Sequence, residues 1–313
     1  MPELTAYIDL LPGLALCVIL GANNLSSCIG TSMGARALRY PQALALASLG
    51  LLAGVLLEGS KLSRAIGSGI VATADSHFAL AVAISTFIIM AFLTYRKLPI
   101  SLSQVAVGAA IGSALAGGIA VDWRYTLIVG SSWLLTPFLG LVISMLLSLM
   151  TKSLAKRMRR VFTMNRFYAY LTIFSGVYAS YVLGANTVGL LIGMVAGPTI
   201  NRPVVSVAFA VATIIGMILF SKGTTRSVAE NIVGLSPSAS FAAQLGGAIT
   251  VHGFTEFGIP VSVSQAVVGG VFGAAIPRKI VVRNGRLTRE IILGWTLAPL
   301  LGAALAFLLS SAM

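Results

Sequence analysis

The chain has 313 residues, of which 57% are hydrophobic and only 9% charged, with a mean hydropathy of +0.96. A soluble domain carries about a quarter charged residues, so this chain has too little polar surface to cover itself in water. The net charge of +13 does not point to nucleic acid, because Lys and Arg sit in short connections between apolar runs, where membrane topology places them.

Those runs approach the roughly 20 residues that a bilayer-spanning helix needs. In chain order they fall at 7–22, 42–58, 77–95, 98–118 and 125–150, then at 163–183, 203–221, 237–255, 259–276 and 290–310. The start, Met1 to Pro12, holds Glu3 and Asp9 without a basic cluster, so it does not read as a cleavable signal. Cys17 and Cys28 lie in apolar or motif segments and are expected as buried small side chains rather than a disulfide. The expected class is an all-α integral membrane protein, multi-pass in the cell membrane, with the lipid bilayer as its partner and no separate soluble domain.

Three landmarks return in the same order. Gly21-Ala22-Asn23-Asn24 returns as Gly184-Ala185-Asn186-Thr187, Leu98 to Gln104 as Ile259 to Gln265, and Trp133 to Pro137 as Trp295 to Pro299. A near-constant offset of 161 to 163 positions marks an internal duplication. The expected organisation is a first repeat over 1–150, a basic cytoplasmic linker over 151–161 and a second repeat over 162–313. About five helices per half is odd, so the second copy is expected in inverted topology, with broken or re-entrant helices at the midplane.

Charge supports that inversion. Arg96 and Lys97 precede the first Pro-x-Ser segment, whereas Glu256 precedes the second; after it, half one has Asp122 and Arg124, and half two Arg278, Lys279, Arg283, Arg286 and Arg289. With Lys152, Lys156, Arg157, Arg159 and Arg160 cytoplasmic, both termini lie outside; Arg36 and Arg39 agree, while Lys61 and Arg64 fall on the outer side, against the rule. A re-entrant segment would change this count.

Residues 21–35, GANNLSSCIGTSMGA, are dense in polar side chains at membrane depth and must face protein or water rather than lipid. Asn23, Asn24, Ser26 and Thr31 are site candidates here, with Ser27 and Ser32 as further hydroxyls; the second copy keeps Asn186 and Thr187 but few hydroxyls. Pro99-Ile100-Ser101 and Pro260-Val261-Ser262 look like helix starts, since Pro suits a first turn and Ser caps free amides. A helix start favours an anion, and two starts facing each other from inverted halves make the site typical of secondary transporters. The expected anion-binding set therefore adds Ser101, Ser103, Gln104, Ser262, Ser264 and Gln265. The alternative for each serine is a bond within its helix or helix packing. His252 and Glu256, one helical turn apart, are placed to share a proton or to sit at a bilayer rim, with Glu58, Glu230 and His77 the other titratable groups near apolar segments. Neither a metal-ligand cluster, a nucleophile triad nor a P-loop occurs, so no enzyme, metal or cofactor is expected.

At these residues the chain resembles the PiT family of inorganic phosphate transporters, including its sulfate permease members. GANNLSSCIGTSMGARAL at 21–38 is similar to the family's GANDVANAFGTSVG-like motif; LPISLSQVAVGAAIG at 98–112 and GIPVSVSQAVVGGVFGAA at 258–275 are similar to its P-V-S-T-T-H motif; Ser60 to Gly67 and Phe241 to Gln244 also fit. The resemblance implies a symporter of a small inorganic anion, sodium- or proton-coupled and commonly a homodimer. The chain departs from it where Asn24 and Thr187 replace the family's acidic residue and where Gln104 and Gln265 end the second motif. Phosphate near pH 7 keeps a proton that a carboxylate accepts, whereas sulfate has none, so family resemblance favours phosphate and the missing acids favour sulfate. Sodium prefers oxygen ligands and is weakened rather than excluded by that loss. A passive anion channel is the alternative from another class; a non-transporting sensor or scaffold lacks any soluble signalling domain.

Overall fold

In a computed structural model, residues 10–34, 38–71, 76–95, 101–157, 160–195, 202–231, 236–279 and 285–313 are described. The elements are α1 Leu11–Gly34, α2 Tyr40–Gly69, α3 Ser76–Tyr95, α4 Leu102–Ala116, α5 Trp123–Arg157 and α6 Val161–Leu183. A π-helical turn Gly184–Val188 leads into α7 Gly189–Val195, followed by α8 Arg202–Asn231, α9 Pro237–Glu256, α10 Val263–Ala275, a 3₁₀ turn Ile276–Arg278 and α11 Gly285–Ala312. Among the described residues the one non-helical pairing is an isolated bridge, Val71 to Val121.

Among the described residues seven helical segments are long and apolar enough to cross a membrane, so the chain is a multi-pass membrane protein. Two of the ten apolar runs hold only short helices, in keeping with the expected broken or re-entrant helices. α4 has 15 residues and α10 has 13, about 22 and 20 Å at 1.5 Å per residue, short of the ~30 Å hydrocarbon core. The apolar runs around them were counted whole because Pro99 to Ser101 and Ile259 to Ser262 are apolar enough to read through, yet the helices start only after those segments. The basic stretch Lys152 to Arg157 also continues α5 rather than forming a loop, as cations near a helix C-terminus favour. Arg36, Arg96, Lys97, Leu98 to Ile100, Arg159 and Arg283 lie outside the described residues.

The contacts between the halves are reciprocal. A Cβ placed on Gly21 of α1 would lie 1.9 Å from Thr213 O of α8, and one on Gly184 would lie 2.3 Å from Leu51 O of α2. A Cβ on Gly54 of α2 would lie 1.9 Å from Tyr181 O and one on Gly216 of α8 1.9 Å from Val18 O; on Gly108 of α4 it would lie 2.1 Å from Pro299 O and on Gly269 of α10 2.1 Å from Pro137 O. Each contact returns with its partners displaced by 161 to 163 positions, the pattern of a local twofold relation. Lipid tails are as apolar as Leu, so helices associate here by close packing, which glycine permits.

The chain also fixes which ends lie together. At the start of α9, Arg278 Nε donates to Ser148 Oγ at 3.1 Å and Arg278 Nη1 to Ser236 Oγ at 3.4 Å, while Lys152 Nζ donates to Pro277 O at 2.8 Å. At its other end Lys61 pairs with Glu256. Lys61 therefore lies a helix length from the basic linker. Its exception to the charge rule has a local cause: Glu58 and Glu256 lie 3.3 and 2.6 Å from its ammonium.

Replacing Gly54 with Ala should cost about 1–3 kcal/mol through overpacking, because the added methyl overlaps Tyr181 O. Gly130 has nothing within 4 Å of its Cβ position, so Gly130→Ala should cost nothing and gain up to about 1 kcal/mol of helix propensity. Thermal unfolding of both variants in detergent checks the pair; equal midpoints would remove the glycine-packing account.

Candidate functional site

The two short helices begin alike. Ser101 caps α4 with φ −83° and ψ 107°, its Oγ accepting from Gln104 N at 3.3 Å. Ser262 caps α10 with φ −90° and ψ 115°, its Oγ accepting from Gln265 N at 3.2 Å. In both copies the next-but-one hydroxyl closes on the cap, Ser101 to Ser103 and Ser262 to Ser264, each at 3.0 Å. All four serines are buried, as are Gln104 and Gln265. The capping serine takes up one orphan amide of its first turn and leaves others directed out of the helix start.

The second start is anchored from several sides. α9 ends at Gly258, φ +69°, where Gly258 N donates to Thr255 O at 2.9 Å and Ile259 N to Phe254 O at 2.9 Å. This is a Schellman closure that needs a left-handed residue. The extended segment that follows is held by α5, with Tyr125 Oη donating to Gly258 O at 2.6 Å and Trp133 Nε1 to Pro260 O at 3.0 Å. For Trp295, the counterpart of Trp133, Nε1 has no partner among the described residues.

The two Gly-Ala-Asn segments differ. The first stays within continuous α1, where Asn24 Nδ2 donates to Leu20 O at 3.4 Å and Ser26 Oγ to Asn23 O at 2.7 Å. The second is the π turn, a local widening common at functional sites. There Asn186 Nδ2 donates to Thr255 Oγ1 at 2.8 Å and Ile259 O at 3.5 Å, tying the turn to the second hairpin. Asn23, Asn24, Ser26 and Thr187 are buried, and α1 packs against α9 and α10. No direct hydrogen bond joins Asn23, Asn24 or Thr187 to the hairpin serines among the described residues. The Thr31 side chain lies outside the described residues.

Gln104 and Gln265 are brought together by one cavity of about 530 Å³, walled by Trp133, Pro137, Phe272, Trp295 and Pro299. The Oε1 atoms of both glutamines, and Oδ1 of Asn186, are buried without a partner among the described residues. An unmade bond of this kind costs about 1–3 kcal/mol, so these amides are acceptors for a ligand or water. Sequence reasoning missed a further network: Ser32 Oγ and Ser175 Oγ donate to Gln244 Oε1 at 3.1 and 3.0 Å, with Gln244 Nε2 left unpaired. A glutamine within an apolar run was the visible signal; its partners lie 212 and 69 positions away.

Glu58, His252 and Glu256, which the sequence reading did not group together, place ligand-type atoms within 4.8 Å of one another. The Lys61 ammonium lies against both carboxylates and offsets one of their two charges.

Comparison with known proteins agrees with this architecture. A protein of Methanocaldococcus jannaschii assigned as a phosphate permease is 28% identical over 98% of each chain. One of Rhizobium meliloti, assigned as a low-affinity inorganic phosphate transporter, is 24% identical over 88% of this chain and 87% of its own. A solved structure of a sodium-dependent phosphate transporter shares the fold, with a TM-score of 0.88 over 98% of both chains at 21% identity. The family model described as the phosphate transporter family matches residues 20–306, and the chain therefore belongs to that transporter family.

Proposed function

We propose that this chain is a secondary active transporter of inorganic phosphate, with repeats 1–150 and 162–313 in inverted topology and the anion held between the two capped helix starts. The observation that carries this reading is the matched pair of buried starts on half-length helices, Ser101-x-Ser103-Gln104 and Ser262-x-Ser264-Gln265. Helix N-termini supply N–H donors and positive dipole charge for an oxyanion. Serine hydroxyls add donors without adding charge. Family membership and the relatives' names support phosphate as the cargo.

The unpaired amide oxygens bear on the choice between phosphate and sulfate. Phosphate near neutral pH carries a P–O–H donor, and Gln104 Oε1, Gln265 Oε1 and Asn186 Oδ1 offer buried acceptors for it. Sulfate carries only acceptors and leaves those oxygens unmatched. The amides thus offer hydrogen-bond acceptors where the family's acids are missing at Asn24 and Thr187, and they do so without a buried negative charge facing the substrate. Coupling to a sodium or proton gradient separates this reading from a passive channel.

In proteoliposomes containing the full chain, labelled phosphate should accumulate above equilibrium under an imposed sodium or proton gradient, and excess sulfate should not compete. Equilibration without accumulation would show a channel; preferential sulfate uptake would overturn the substrate.

Substitutions at the caps separate structure from contact. Ser262→Ala loses about 1 kcal/mol of capping, whereas Ser262→Gly loses only a few tenths. Both remove the hydroxyl, so both should weaken phosphate binding, by about 1.5–3 kcal/mol for a bond to a charged group, while Ser311→Ala on the exposed end of α11 should not. Titration calorimetry decides: full affinity in Ser262→Gly would reduce the serine to a cap.

A further inference from the structure

Four charged or titratable groups converge where the second hairpin turns. His252 Nε2 lies 2.8 Å from Glu58 Oε2 and 3.1 Å from Glu256 Oε1, and Lys61 Nζ lies 2.6 Å from Glu256 Oε1 and 3.3 Å from Glu58 Oε1. Glu58 and Lys61 belong to α2, His252 and Glu256 to the last turns of α9. From α6, Tyr178 Oη meets His252 Nδ1 and the Tyr181 ring packs on the imidazole at 5.9 Å. We propose that this cluster is a proton-binding site, a clasp in which protonation of His252 draws α9 to α2 and so sets the position of the helix start that carries Ser262.

Charge balance supports it. With a neutral imidazole the two carboxylates face one ammonium, leaving one net negative charge in a half-buried setting; the imidazolium cancels it. Nε2 faces only carboxylate oxygens and therefore carries hydrogen in both states. The proton gained goes to Nδ1, and its partner there, the Tyr178 hydroxyl, accepts as readily as it donates. Histidine is also the side chain type whose charge ordinarily changes between pH 5 and 8. The ring is part-exposed at 22%, so protons reach it from water.

The link to the anion site is short. Glu256 is the last residue of α9 and Ser262 caps α10, with the segment between them pinned by Tyr125, Trp133 and Asn186. The clasp adds the one contact in this set that responds to pH. It is also absent from the first repeat: at the repeat offsets of 161 and 162, His252 and Glu256 correspond to Ala91 and Tyr95, and Glu58 and Lys61 to Phe220 and Gly223. None of these four groups recurs at the corresponding positions of the first repeat, so the cluster is particular to the second.

This inference rests on the phosphate reading above, and the test keeps the two apart. Phosphate affinity and proteoliposome uptake are measured between pH 5.5 and 8 for the full chain, His252→Gln, His252→Lys and Glu58→Gln, each checked for folding by size-exclusion chromatography. Phosphate itself ionises in this range, so the informative quantity is the ratio of wild type to variant at each pH. Wild type should exceed His252→Gln by about fivefold or more at pH 5.5, the lower end of coupling between linked sites, and by little at pH 8. Glu58→Gln should flatten the ratio likewise, and His252→Lys, with its permanent charge, should hold the low-pH behaviour throughout. A wild-type to variant ratio that stays constant with pH in the folded variants overturns the clasp and leaves phosphate transport standing. No phosphate binding by wild type at any pH overturns the transport reading itself.

Discussion

A helix that starts inside an apolar medium exposes its first amides where no bulk water can satisfy them. α4 and α10 are too short to carry both ends to the membrane surfaces, so these amides must find partners within the protein. Much of the architecture follows from that requirement. Ser101 and Ser262 cap, Ser103 and Ser264 close on the caps, and Trp133 holds the carbonyl of the segment entering α10. The amides that capping leaves over are the positive feature on which the proposed oxyanion site rests.

The twofold pattern of contacts explains how two such starts are brought to one place. α1 crosses α8 as the second Gly-Ala-Asn segment crosses α2, and α4 packs on α11 as α10 packs on α5, each crossing resting on a glycine against a backbone carbonyl. The two matched helix starts are nonetheless set in different surroundings. The second Gly-Ala-Asn segment is a π turn while the first is regular helix, and only the second hairpin is held by Glu58, Lys61, His252 and Glu256.

Several site features were legible because they are local. Pro followed by Ser-x-Ser before an apolar run is a helix-start signal, and the structure has a serine N-cap at both places. The doubled motif also located the paired buried serines and glutamines. Other features depend on distance in sequence. That α4 and α10 fall short of a full span was hidden by apolar residues that continue ahead of both helix starts. The bonding of Ser32 and Ser175 to Gln244, and of Asn186 to Thr255, joins residues at least 69 positions apart. Absence of carboxylates at Asn24 and Thr187, beside hydroxyls and helix starts, favours sulfate when read along the chain; the unpaired oxygens of Gln104, Gln265 and Asn186 appear only once burial is known.

Composition by itself determined that the chain lives in a bilayer, since a surface with so few charges cannot be hydrated, and the repeated landmarks marked out the matching segments. Tertiary structure decided which of those residues meet, which polar atoms are left without partners among the described residues, and which carboxylates Lys61 faces. Hydropathy and helix capping act over a few neighbouring residues and can be read along the chain. Packing of glycine on a carbonyl, and neutralisation of Lys61 by Glu58 and Glu256 across two helices, depend on approach in space, which the order of residues does not display.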